Sequence, residues 1–296
     1  MIAKSPVGVV GIGLIGGALA KRLIDAGHQV IGYDVDEARR GALAALGGKT
    51  AASLSDLFKA CDRIVIAVFN TDQVESVIEG GGGLAEIAAE TGTDKLAIVV
   101  STCDPERIRQ LGERLVGGPV HLLEVPISGA SGQVADGDGI GLVAGSKADA
   151  DMAADVLSDI CKKCHFMGVL GNGGRTKLAV NLILGINRTG LAEGLVFAET
   201  LGLPLPSFLD AAKDSAAYSQ IMDVKGDKMV AGEFSPQGRI VQSTKDAHLM
   251  IEAAEAAGQD LPLGRTYVDI LDKSIAAGDA DLDNSAVMRE IQRRKL

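Results

Sequence analysis

A short apolar run followed at once by closely spaced glycines constrains this chain more than any other feature. Val7–Val10 is a predicted buried strand, and the glycine motif that follows it, Gly11-Ile12-Gly13-Leu14-Ile15-Gly16, leads into a predicted amphipathic helix. In this context GxGxxG is typical of a dinucleotide-binding turn: the first glycine permits the tight turn, the second lets the backbone approach a pyrophosphate, and the third lets the helix pack on the strand. We therefore predict that these six residues hold a dinucleotide at the start of the helix.

An acidic residue follows the second predicted strand, Val30–Tyr33. Asp34 stands 18 residues beyond Gly16, where a carboxylate accepts hydrogen bonds from the adenosine ribose 2′-OH and repels a 2′-phosphate. Basic residues come only later, as Arg39 and Arg40 on the next predicted helix. We therefore predict NAD as the cofactor, with NADP less favoured. A glycine-rich turn without a ligand and the S-adenosylmethionine site of a methyltransferase are the alternatives.

Short β-rich runs and helical patterns alternate through the first half of the chain, which is typical of a doubly wound parallel sheet. The predicted strands are Val7–Val10, Val30–Tyr33, Arg63–Val68, Ala97–Val100, His121–Glu124, Ile140–Ala144 and Lys163–Met167. The predicted helices between them are Ile15–Ala26, Glu37–Leu46, Asp72–Ile78, Pro105–Leu115 and Ala148–Ile160. Every later pattern is helical, beginning with a long helix over residues 175–201. We predict an α/β fold with a Rossmann-type domain over residues 1–166, followed by an all-helical domain over residues 167–296.

The composition argues against several classes of partner. The net charge is −10, so the chain has no general attraction for nucleic acid or for anionic membranes, and six Phe and three Tyr are too few for base-stacking platforms. The apolar run Val7–Ala20 has the outline of a secretion signal, but it contains five glycines, which weaken an apolar helix. No run reaches the ~20 apolar residues of a membrane span. We expect a cytoplasmic protein.

Two of the four cysteines form the sequence Cys161-Lys162-Lys163-Cys164, which His165 follows. This spacing matches c-type haem attachment and half of a zinc site, and a redox disulfide is a further alternative. Haem attachment requires export, and no second pair of zinc ligands stands nearby. We expect reduced thiols in a cytosolic protein and no bound metal.

Four more segments complete a pattern that spans nearly the whole chain. They are Glu124-Val125-Pro126-Ile127-Ser128-Gly129-Ala130, the run from Gly168 through Gly171, Gly173 and Lys177 to Asn181, the pair Lys245-Asp246, and Asp283-Asn284-Ser285-Ala286. With the glycine motif, they resemble the β-hydroxyacid dehydrogenases, the 3-hydroxyisobutyrate dehydrogenase-like family related to 6-phosphogluconate dehydrogenase. The family's corresponding motifs are DAPVSGG for the substrate, GxxGxGxxxKxxNN for catalysis, KDL on the cofactor side and DfSa.

The chain departs from these family motifs at a few positions. Ala130 replaces the second glycine of SGG, and Val180 stands at the first Asn of NN. Gly238 stands where the family often has an aromatic residue, and Arg239 and Gln242 add polarity to a usually apolar stretch. These departures bear on the choice of substrate, and we expect the type of reaction to be unchanged.

Lys177 and Asn181 are four residues apart on the long predicted helix and therefore share one of its faces. Oxidation of a hydroxyl-bearing carbon by hydride transfer requires a base for the hydroxyl proton, and a nearby nicotinamide cation together with desolvation favours a neutral amine. By resemblance, Lys177 is the catalytic lysine. We predict that Asn181 holds the substrate and that Ser128, Gly129 and Ala130 offer it a hydroxyl and backbone N–H groups.

Four residues complete the predicted cofactor site. Phe69 and Asn70 follow one predicted strand and would line the path from adenosine to nicotinamide. Thr102 follows the next strand and would face the nicotinamide ribose. By resemblance, Lys245 would reach the cofactor from the helical domain, whereas we expect Asp246 to stabilise the helix or to pair locally.

The sequence thus predicts an NAD-dependent dehydrogenase of a small 3-hydroxy acid, whose product is the semialdehyde or the 3-oxo acid. A non-catalytic NAD-binding redox sensor and an imine reductase-like enzyme are alternatives, although imine reductases usually lack the lysine. Hydroxyisobutyrate, glycerate, threonate, serine and aryl-substituted hydroxy acids stay open as substrates. Apolar helix faces over residues 178–201 and 249–257, together with the resemblance, predict a homodimer or homotetramer.

Overall fold

The computed structural model describes residues 6–294. Contacts within the chain divide it into two compact units, with the division between Lys177 and Leu178. The boundary that the sequence suggests, between residues 166 and 167, stays a prediction.

The first unit contains one mixed sheet of nine strands. The strands are β1 (Val7–Val10), β2 (Val30–Tyr33), β3 (Lys49–Thr50), β4 (Arg63–Ile66), β5 (Lys95–Val99), β6 (Val120–Glu124), β7 (Ile127–Ser128), β8 (Ile140–Ala144) and β9 (Lys163–Gly168). Six of them are parallel in the order β3-β2-β1-β4-β5-β6. Strand β8 runs antiparallel to β6 and β7 and parallel to β9.

Nine helices belong to the described part of the first unit. They are α1 (Leu14–Asp25), α2 (Glu37–Ala45), α3 (Leu54–Ala60), α4 (Thr71–Glu79), α5 (Leu84–Thr91), α6 (Pro105–Arg114), α7 (Ser131–Ala135), α8 (Lys147–Met152) and α9 (Ala154–Ile160). Alternate residues of each central strand point to opposite faces of the sheet. Leu96 and Ile98 of β5 therefore pack in one apolar cluster with α1 and α9, whereas Ala97 and Val99 pack in another with α3 to α6. Both faces of the sheet are covered, as in a doubly wound fold.

The remaining chain is helical. A long helix, α10 (Asn172–Thr200), starts in the first unit and continues into the second, followed by α11 (Leu205–Lys213), α12 (Gln220–Ala231), α13 (Ile240–Ala256), α14 (Pro262–Ala276), a 3₁₀ turn (Asn284–Ala286) and α15 (Val287–Arg293). The core of the second unit includes Leu195, Leu209, Met229 and Leu271. Among the helices described, none is both long enough and apolar enough to cross a membrane.

The predicted fold class, a Rossmann-type sheet followed by helices, is confirmed. Five short elements were missed by the sequence analysis: β3, α3, α5, β7 and α7. The sheet is also mixed and not parallel throughout, since β8 runs antiparallel to β6 and β7. Only 11 residues connect β7 to β8, and a parallel crossover needs a dozen or more. The predicted helix Ala148–Ile160 is interrupted at Ala153, whose N–H bonds to both Asp149 O and Ala150 O and tightens that turn.

Candidate functional site

The predicted nucleotide site lies at the carboxyl ends of four adjacent parallel strands. Strand β1 lies between β2 and β4, so the strand order reverses beside it. Gly11 follows β1, Asp34 follows β2, Phe69 and Asn70 follow β4, and Thr102 follows β5. In open α/β sheets, ligands bind outside the carboxyl ends of the strands at such a reversal. The topology therefore brings these segments to one edge of the sheet.

The three motif glycines meet different surroundings. Gly11 has a φ of +87°, and a Cβ there would lie 2.5 Å from Ala67 O, so this turn requires glycine. A Cβ on Gly16 would lie 1.9 Å from Gly11 O, so α1 can approach the turn only without a side chain there. By contrast, a Cβ on Gly13 would come no closer than 3.9 Å to its nearest neighbour, Arg39 Nη1. The first and third glycines thus shape the turn, while the backbone at Gly13 has open space beside it.

The open space at Gly13 coincides with the start of α1. Gly13 is the N-cap residue of α1, and no side chain caps this helix end. Ile12 is buried, whereas Leu14 and Ile15 begin the helix half-buried. A 12-residue helix presents backbone N–H groups and the positive end of its dipole at its start. These features fit the pyrophosphate of a dinucleotide.

Asp34 is buried and already holds the glycine turn. Its Oδ2 accepts a hydrogen bond from Ile12 N at 2.6 Å, and its Oδ1 accepts one from Asp36 N at 2.9 Å. Arg39 Nη1 lies 3.4 Å from Asp34 Oδ2, and Arg40 Nη1 donates to Asp34 O at 2.5 Å. The sequence analysis placed these arginines merely on the next helix. Their positions on α2, five and six residues after Asp34, were the signal that could have revealed the contact.

The loops after β4 and β5 form the rest of this edge. Asn70 Oδ1 accepts a hydrogen bond from Gln73 N at 2.9 Å and caps α4, and Gln73 Oε1 accepts one from Phe69 N at 2.7 Å. Ser101 Oγ donates to a backbone carbonyl of the loop after β4 at 2.7 Å. Thr102 is half-buried beside it. Asn70 therefore has a structural role, which is compatible with its predicted contact with the cofactor.

Lys177 and the predicted substrate segment meet in the first unit. The Lys177 side chain lies in the first turns of α10 and is only 7% exposed. Its Nζ donates a hydrogen bond to Ile127 O at 2.7 Å. Because Ile127 immediately precedes Ser128, the predicted catalytic amine lies beside the predicted substrate-binding segment. A buried lysine held by a backbone carbonyl is unusual, since burial of an ammonium group carries a large desolvation cost.

The substrate segment requires glycine at one position. Gly129 has a φ of +150°, which residues other than glycine rarely adopt. Ala130 N donates to Gln133 Oε1 at 2.9 Å, so this predicted substrate donor is already used at the start of α7. The hydroxyl of Ser128 and the backbone at Gly129 are therefore better placed to bind a substrate than Ala130.

A buried carboxylate holds the start of the helix that carries Lys177. Glu124 Oε2 accepts hydrogen bonds from Gly171 N at 2.9 Å and Gly173 N at 3.1 Å, and Oε1 accepts one from Gly174 N at 2.8 Å. Burial raises the pKa of the Glu124 carboxyl to about 7, and the three N–H groups oppose that rise. The sequence analysis treated Glu124 only as part of a motif. Its position at the end of a buried strand was the available signal.

Glycines make the approach to Glu124 possible. A Cβ on Gly173 would lie 2.8 Å from Leu142 O and 3.0 Å from Glu124 Oε2, and a Cβ on Gly174 would lie 2.8 Å from Glu124 Oε1. Contacts below 3.0 Å are closer than van der Waals packing allows. The glycines before Lys177 therefore allow a carboxylate from the sheet to approach the backbone.

The second unit brings three of the motif residues together. Asn181 Nδ2 donates to Asp246 Oδ2 at 3.0 Å, and Lys245 Nζ lies 2.9 Å from Asp246 Oδ1. The expected local pairing of Asp246 is confirmed. Asp246 thereby links the predicted substrate amide on α10 to the predicted cofactor lysine on α13.

The polar departures from the family motifs lie at the start of α13. Gln242 Oε1 accepts a hydrogen bond from Arg239 N at 3.1 Å and so caps this helix. Arg239 Nη1 lies 3.7 Å from Asp281 Oδ1, which is largely exposed. Gly238 N lies 3.4 Å from the buried Asp283 Oδ2.

Within residues 6–294 there is no group of three or more His, Cys, Asp or Glu side chains that could hold a metal ion.

Two family models together match almost the whole chain. Residues 6–168 match the NAD binding domain of 6-phosphogluconate dehydrogenase, and residues 171–291 match the model described as NAD-binding of NADP-dependent 3-hydroxyisobutyrate dehydrogenase. The two matches correspond closely to the sheet and to the helical part of the fold.

Curated relatives and a solved structure agree with these matches. L-threonate dehydrogenase of Cupriavidus necator is 28% identical over 96% of this chain and 95% of its own length. The 2-hydroxy-3-oxopropionate reductase of Escherichia coli is 28% identical over 97% of each chain. The crystal structure of 3-hydroxyisobutyrate dehydrogenase from Salmonella typhimurium superposes with a TM-score of 0.88 at 26% identity, covering 97% of this chain and 99% of that one. The chain therefore belongs to the 3-hydroxyisobutyrate dehydrogenase-like β-hydroxyacid dehydrogenase family, with an NAD-binding domain of the 6-phosphogluconate dehydrogenase type.

Proposed function

We propose that this NAD(P)-dependent oxidoreductase interconverts a small 3-hydroxy acid and its semialdehyde or 3-oxo acid, with Lys177 as the general acid and base. The observation that carries the proposal is the hydrogen bond from Lys177 Nζ to Ile127 O, because it holds a buried amine directly beside Ser128. A solvated surface lysine would have no such fixed position.

The division of labour follows from the contacts of each residue. NAD supplies or accepts the hydride when it is bound. Lys177 Nζ takes the proton of the substrate hydroxyl during oxidation and returns it during reduction. The Ile127 carbonyl fixes the position of this amine. Glu124 holds the glycine turn from which the lysine's helix starts.

Residues that come before and after Lys177 in the sequence orient the substrate. Asn181 lies one turn beyond Lys177 on α10, and its Nδ2 is already bonded to Asp246. Its Oδ1 then faces away from that bond and is the atom that we assign to the substrate hydroxyl. The Ser128 hydroxyl and the backbone N–H at Gly129 would bind the carboxylate of the hydroxy acid.

NAD is the cofactor we propose, and two side chains oppose each other in this choice. The buried Asp34 carboxylate repels a 2′-phosphate, whereas the half-exposed Arg39 guanidinium beside it would attract one. We expect Asp34 to dominate, because Ile12 N fixes its carboxylate while Arg39 reaches into solvent. Wild-type kcat/KM should favour NAD over NADP by about tenfold or more.

Two variants separate the contributions of these side chains. Asp34→Asn keeps an acceptor for Ile12 N and removes the charge, so it should lower the preference for NAD. Arg39→Ala should raise the preference. Equal kcat/KM for NAD and NADP in the wild type would contradict the assignment.

The substrate belongs to the class of small hydroxy acids named in the relatives. Those relatives are named for L-threonate and for 2-hydroxy-3-oxopropionate. A panel of L-threonate, 3-hydroxyisobutyrate, glycerate and serine with NAD, followed by absorbance of the reduced nicotinamide, tests the proposal directly. Turnover of at least one acid is expected. NAD binding without turnover of any hydroxy acid would favour the non-catalytic sensor.

Self-association and location are also proposals. Ile183 and Phe197 on α10, and Leu201 directly after its end, are each at least 60% exposed, although they are large and apolar. Large exposed apolar residues on one helix are typical of an interface, so we propose a homodimer or homotetramer formed through the helical unit. Light scattering at micromolar concentration should show a mass above that of one chain, and a monomer would contradict it. For the location we propose the cytoplasm.

A further inference from the structure

The two cysteines of the Cys161-Lys162-Lys163-Cys164 sequence lie against each other. Cys161 follows the last residue of α9 and is only 6% exposed, whereas Cys164 lies in β9 and is exposed. Each thiol is the main influence on the pKa of the other, so the two sulfurs are close together. The sequence thus places one shielded and one accessible sulfur side by side.

Gly141 on the neighbouring strand provides the space for both sulfurs. Gly141 of β8 is paired with Cys164 of β9 in parallel register. A Cβ on Gly141 would lie 3.0 Å from Cys161 Sγ and also 3.0 Å from Cys164 Sγ. Both sulfurs therefore lie over the same point of β8, and a side chain in place of Gly141 would require them to shift.

The surroundings of the two thiols shift their pKa values in opposite directions. The adjacent Cys161 thiol lowers the pKa of Cys164, with help from the backbone at Gly141 and against the effect of burial. The Cys164 thiol and burial raise the pKa of Cys161. Cys61 is a useful contrast, because burial raises the pKa of its thiol to about 11. The thiolate is the reactive form of cysteine, so reactivity concentrates at the accessible sulfur.

We propose that Cys161 and Cys164 form a redox-active dithiol that hydrogen peroxide or an organic hydroperoxide converts into an intramolecular disulfide. This thiol chemistry does not depend on the proposed function. Cys164 is the attacking sulfur because it is accessible, and Cys161 is the resolving sulfur because it is shielded and adjacent.

The reaction balances in two steps. The Cys164 thiolate attacks one peroxide oxygen, the O–O bond breaks, and the leaving hydroxide or alkoxide takes up a proton, which leaves a sulfenic acid on Cys164. Cys161 then loses its proton and attacks the Cys164 sulfur, the S–O bond breaks, and hydroxide leaves as water. The two sulfurs are oxidised by two electrons, and the peroxide is reduced to water plus water or alcohol.

The two lysines between the cysteines make the product easy to detect. Trypsin cleaves after Lys162 and Lys163, so Cys161 and Cys164 end in different peptides unless a disulfide joins them. The full-length protein is treated with hydrogen peroxide, unreacted thiols are alkylated, and the digest is analysed by mass spectrometry with and without dithiothreitol. We expect the cross-linked peptide pair, its loss on reduction, and a fall from four titratable thiols to two.

Single substitutions assign the roles. Cys161→Ser should stop the reaction at a sulfenic acid on Cys164, which dimedone traps, and Cys164→Ser should abolish both products. Cys61→Ser is the matched control and should leave the cross-link unchanged. With iodoacetamide, Cys164 should react at least about tenfold faster than Cys61.

Three results would overturn the proposal. The first is the absence of the cross-linked peptides after peroxide treatment. The second is oxidation of Cys61 as fast as Cys164. The third is a disulfide that joins Cys164 of two separate chains, seen as a reducible dimer on a denaturing gel.

Discussion

Two buried carboxylates, one in each unit, meet the start of a helical segment in different ways. In the first unit, Glu124 accepts three backbone N–H groups at the start of α10 and forms no ion pair with any residue of the described range 6–294. In the second unit, Asp283 precedes the 3₁₀ turn and accepts hydrogen bonds from Gln237 N at 2.8 Å and Ser285 N at 3.0 Å. Asp283 also pairs with the buried Lys225, whose Nζ lies 2.8 Å away.

The pKa values of the two carboxyl groups differ because only Asp283 has a cation paired with it. Burial raises the pKa of Glu124 to about 7, because three backbone N–H groups do not offset the loss of water. Burial also acts to raise the pKa of Asp283, but the hydrogen bonds from Lys225 and Gln237 N and the charge of Lys225 outweigh it and lower the pKa. Backbone N–H groups and the smaller effect of the Arg175 charge thus leave the pKa of the buried Glu124 carboxyl raised, whereas the directly paired Lys225 keeps Asp283 charged.

Removal of the cation should have the largest effect. Lys225→Met preserves much of the side-chain volume but leaves Asp283 buried without its counter-charge, so we expect a loss of about 3–5 kcal/mol in the free energy of unfolding. Urea unfolding of the full chain measures it. The double variant Lys225→Met/Asp283→Asn should recover part of the loss, because it also removes the charge.

A surface lysine provides the matched control for that experiment. Lys273 pairs with Asp269 across one turn of α14 and is 55% exposed. Lys273→Met should cost less than about 1 kcal/mol, since exposed ion pairs contribute little. Equal losses for the two lysine variants would mean that Asp283 does not depend on its buried partner.

The pH dependence of stability should also distinguish Glu124 from Asp283, with the next largest effect. The pKa of Glu124 is raised on folding, so the folded state binds the proton more tightly and the stabilisation that this provides is lost as the pH rises toward 7. Relative to Glu124→Gln, the wild type should therefore lose about 2 kcal/mol between about pH 5.5 and about pH 8.

Asp283 should behave in the opposite way. Its pKa is lowered on folding, so the stabilisation is present above the ordinary carboxyl pKa and is lost only in more acidic solution. The difference between the wild type and Asp283→Asn should therefore stay constant over the range in which the Glu124→Gln difference changes. A constant difference for Glu124→Gln as well would show that burial does not raise the pKa of Glu124.

The smallest effects concern two glycines on α10. A Cβ on Gly174 would lie 2.8 Å from Glu124 Oε1, whereas a Cβ on Gly190 would meet no described heavy atom within 4 Å beyond its chain neighbours and the nearby backbone of its own helix. Gly174→Ala should destabilise the protein by about 1–2 kcal/mol through this contact. Gly190→Ala should stabilise it by up to about 1 kcal/mol, because alanine favours the helix. Stabilisation by both substitutions would contradict a close contact between Glu124 and the start of the helix.

Periodicity predicted those parts of the fold that are long or strongly apolar. Strands β1, β2 and β8 have the predicted bounds, because each is a continuous apolar run flanked by residues typical of turns. Short elements such as α3 and β7 escaped, since seven and two residues are too few to display a period. The antiparallel direction of β8 depends on the length of its connection to a strand that the sequence analysis did not detect.

The candidate site was predictable where a motif carries the chemistry and hidden where contacts cross the fold. The glycine motif and Asp34 could be selected from sequence because their spacing is characteristic, and Lys177 because its segment resembles a family motif. The hydrogen bonds of Glu124 to the glycines before Lys177 join residues about fifty positions apart in the sequence. The proximity of Arg39 to Asp34 depends on the direction in which α2 runs after β2. Neither distance follows from a local pattern.

Replacement of Lys177 tests the central claim most directly. In Lys177→Ala, NAD affinity measured by calorimetry should be nearly unchanged, because we assign the binding of the dinucleotide to the glycine motif and Asp34. The kcat for the best hydroxy acid should fall by roughly 10²–10⁴, the usual contribution of a general acid–base group. Lys177→Arg should not restore it, because a guanidinium stays protonated. If Lys177→Ala kept more than about a third of wild-type kcat, a loss below ~1 kcal/mol, the assignment of the base would be wrong, and Lys245 would be the next lysine to test.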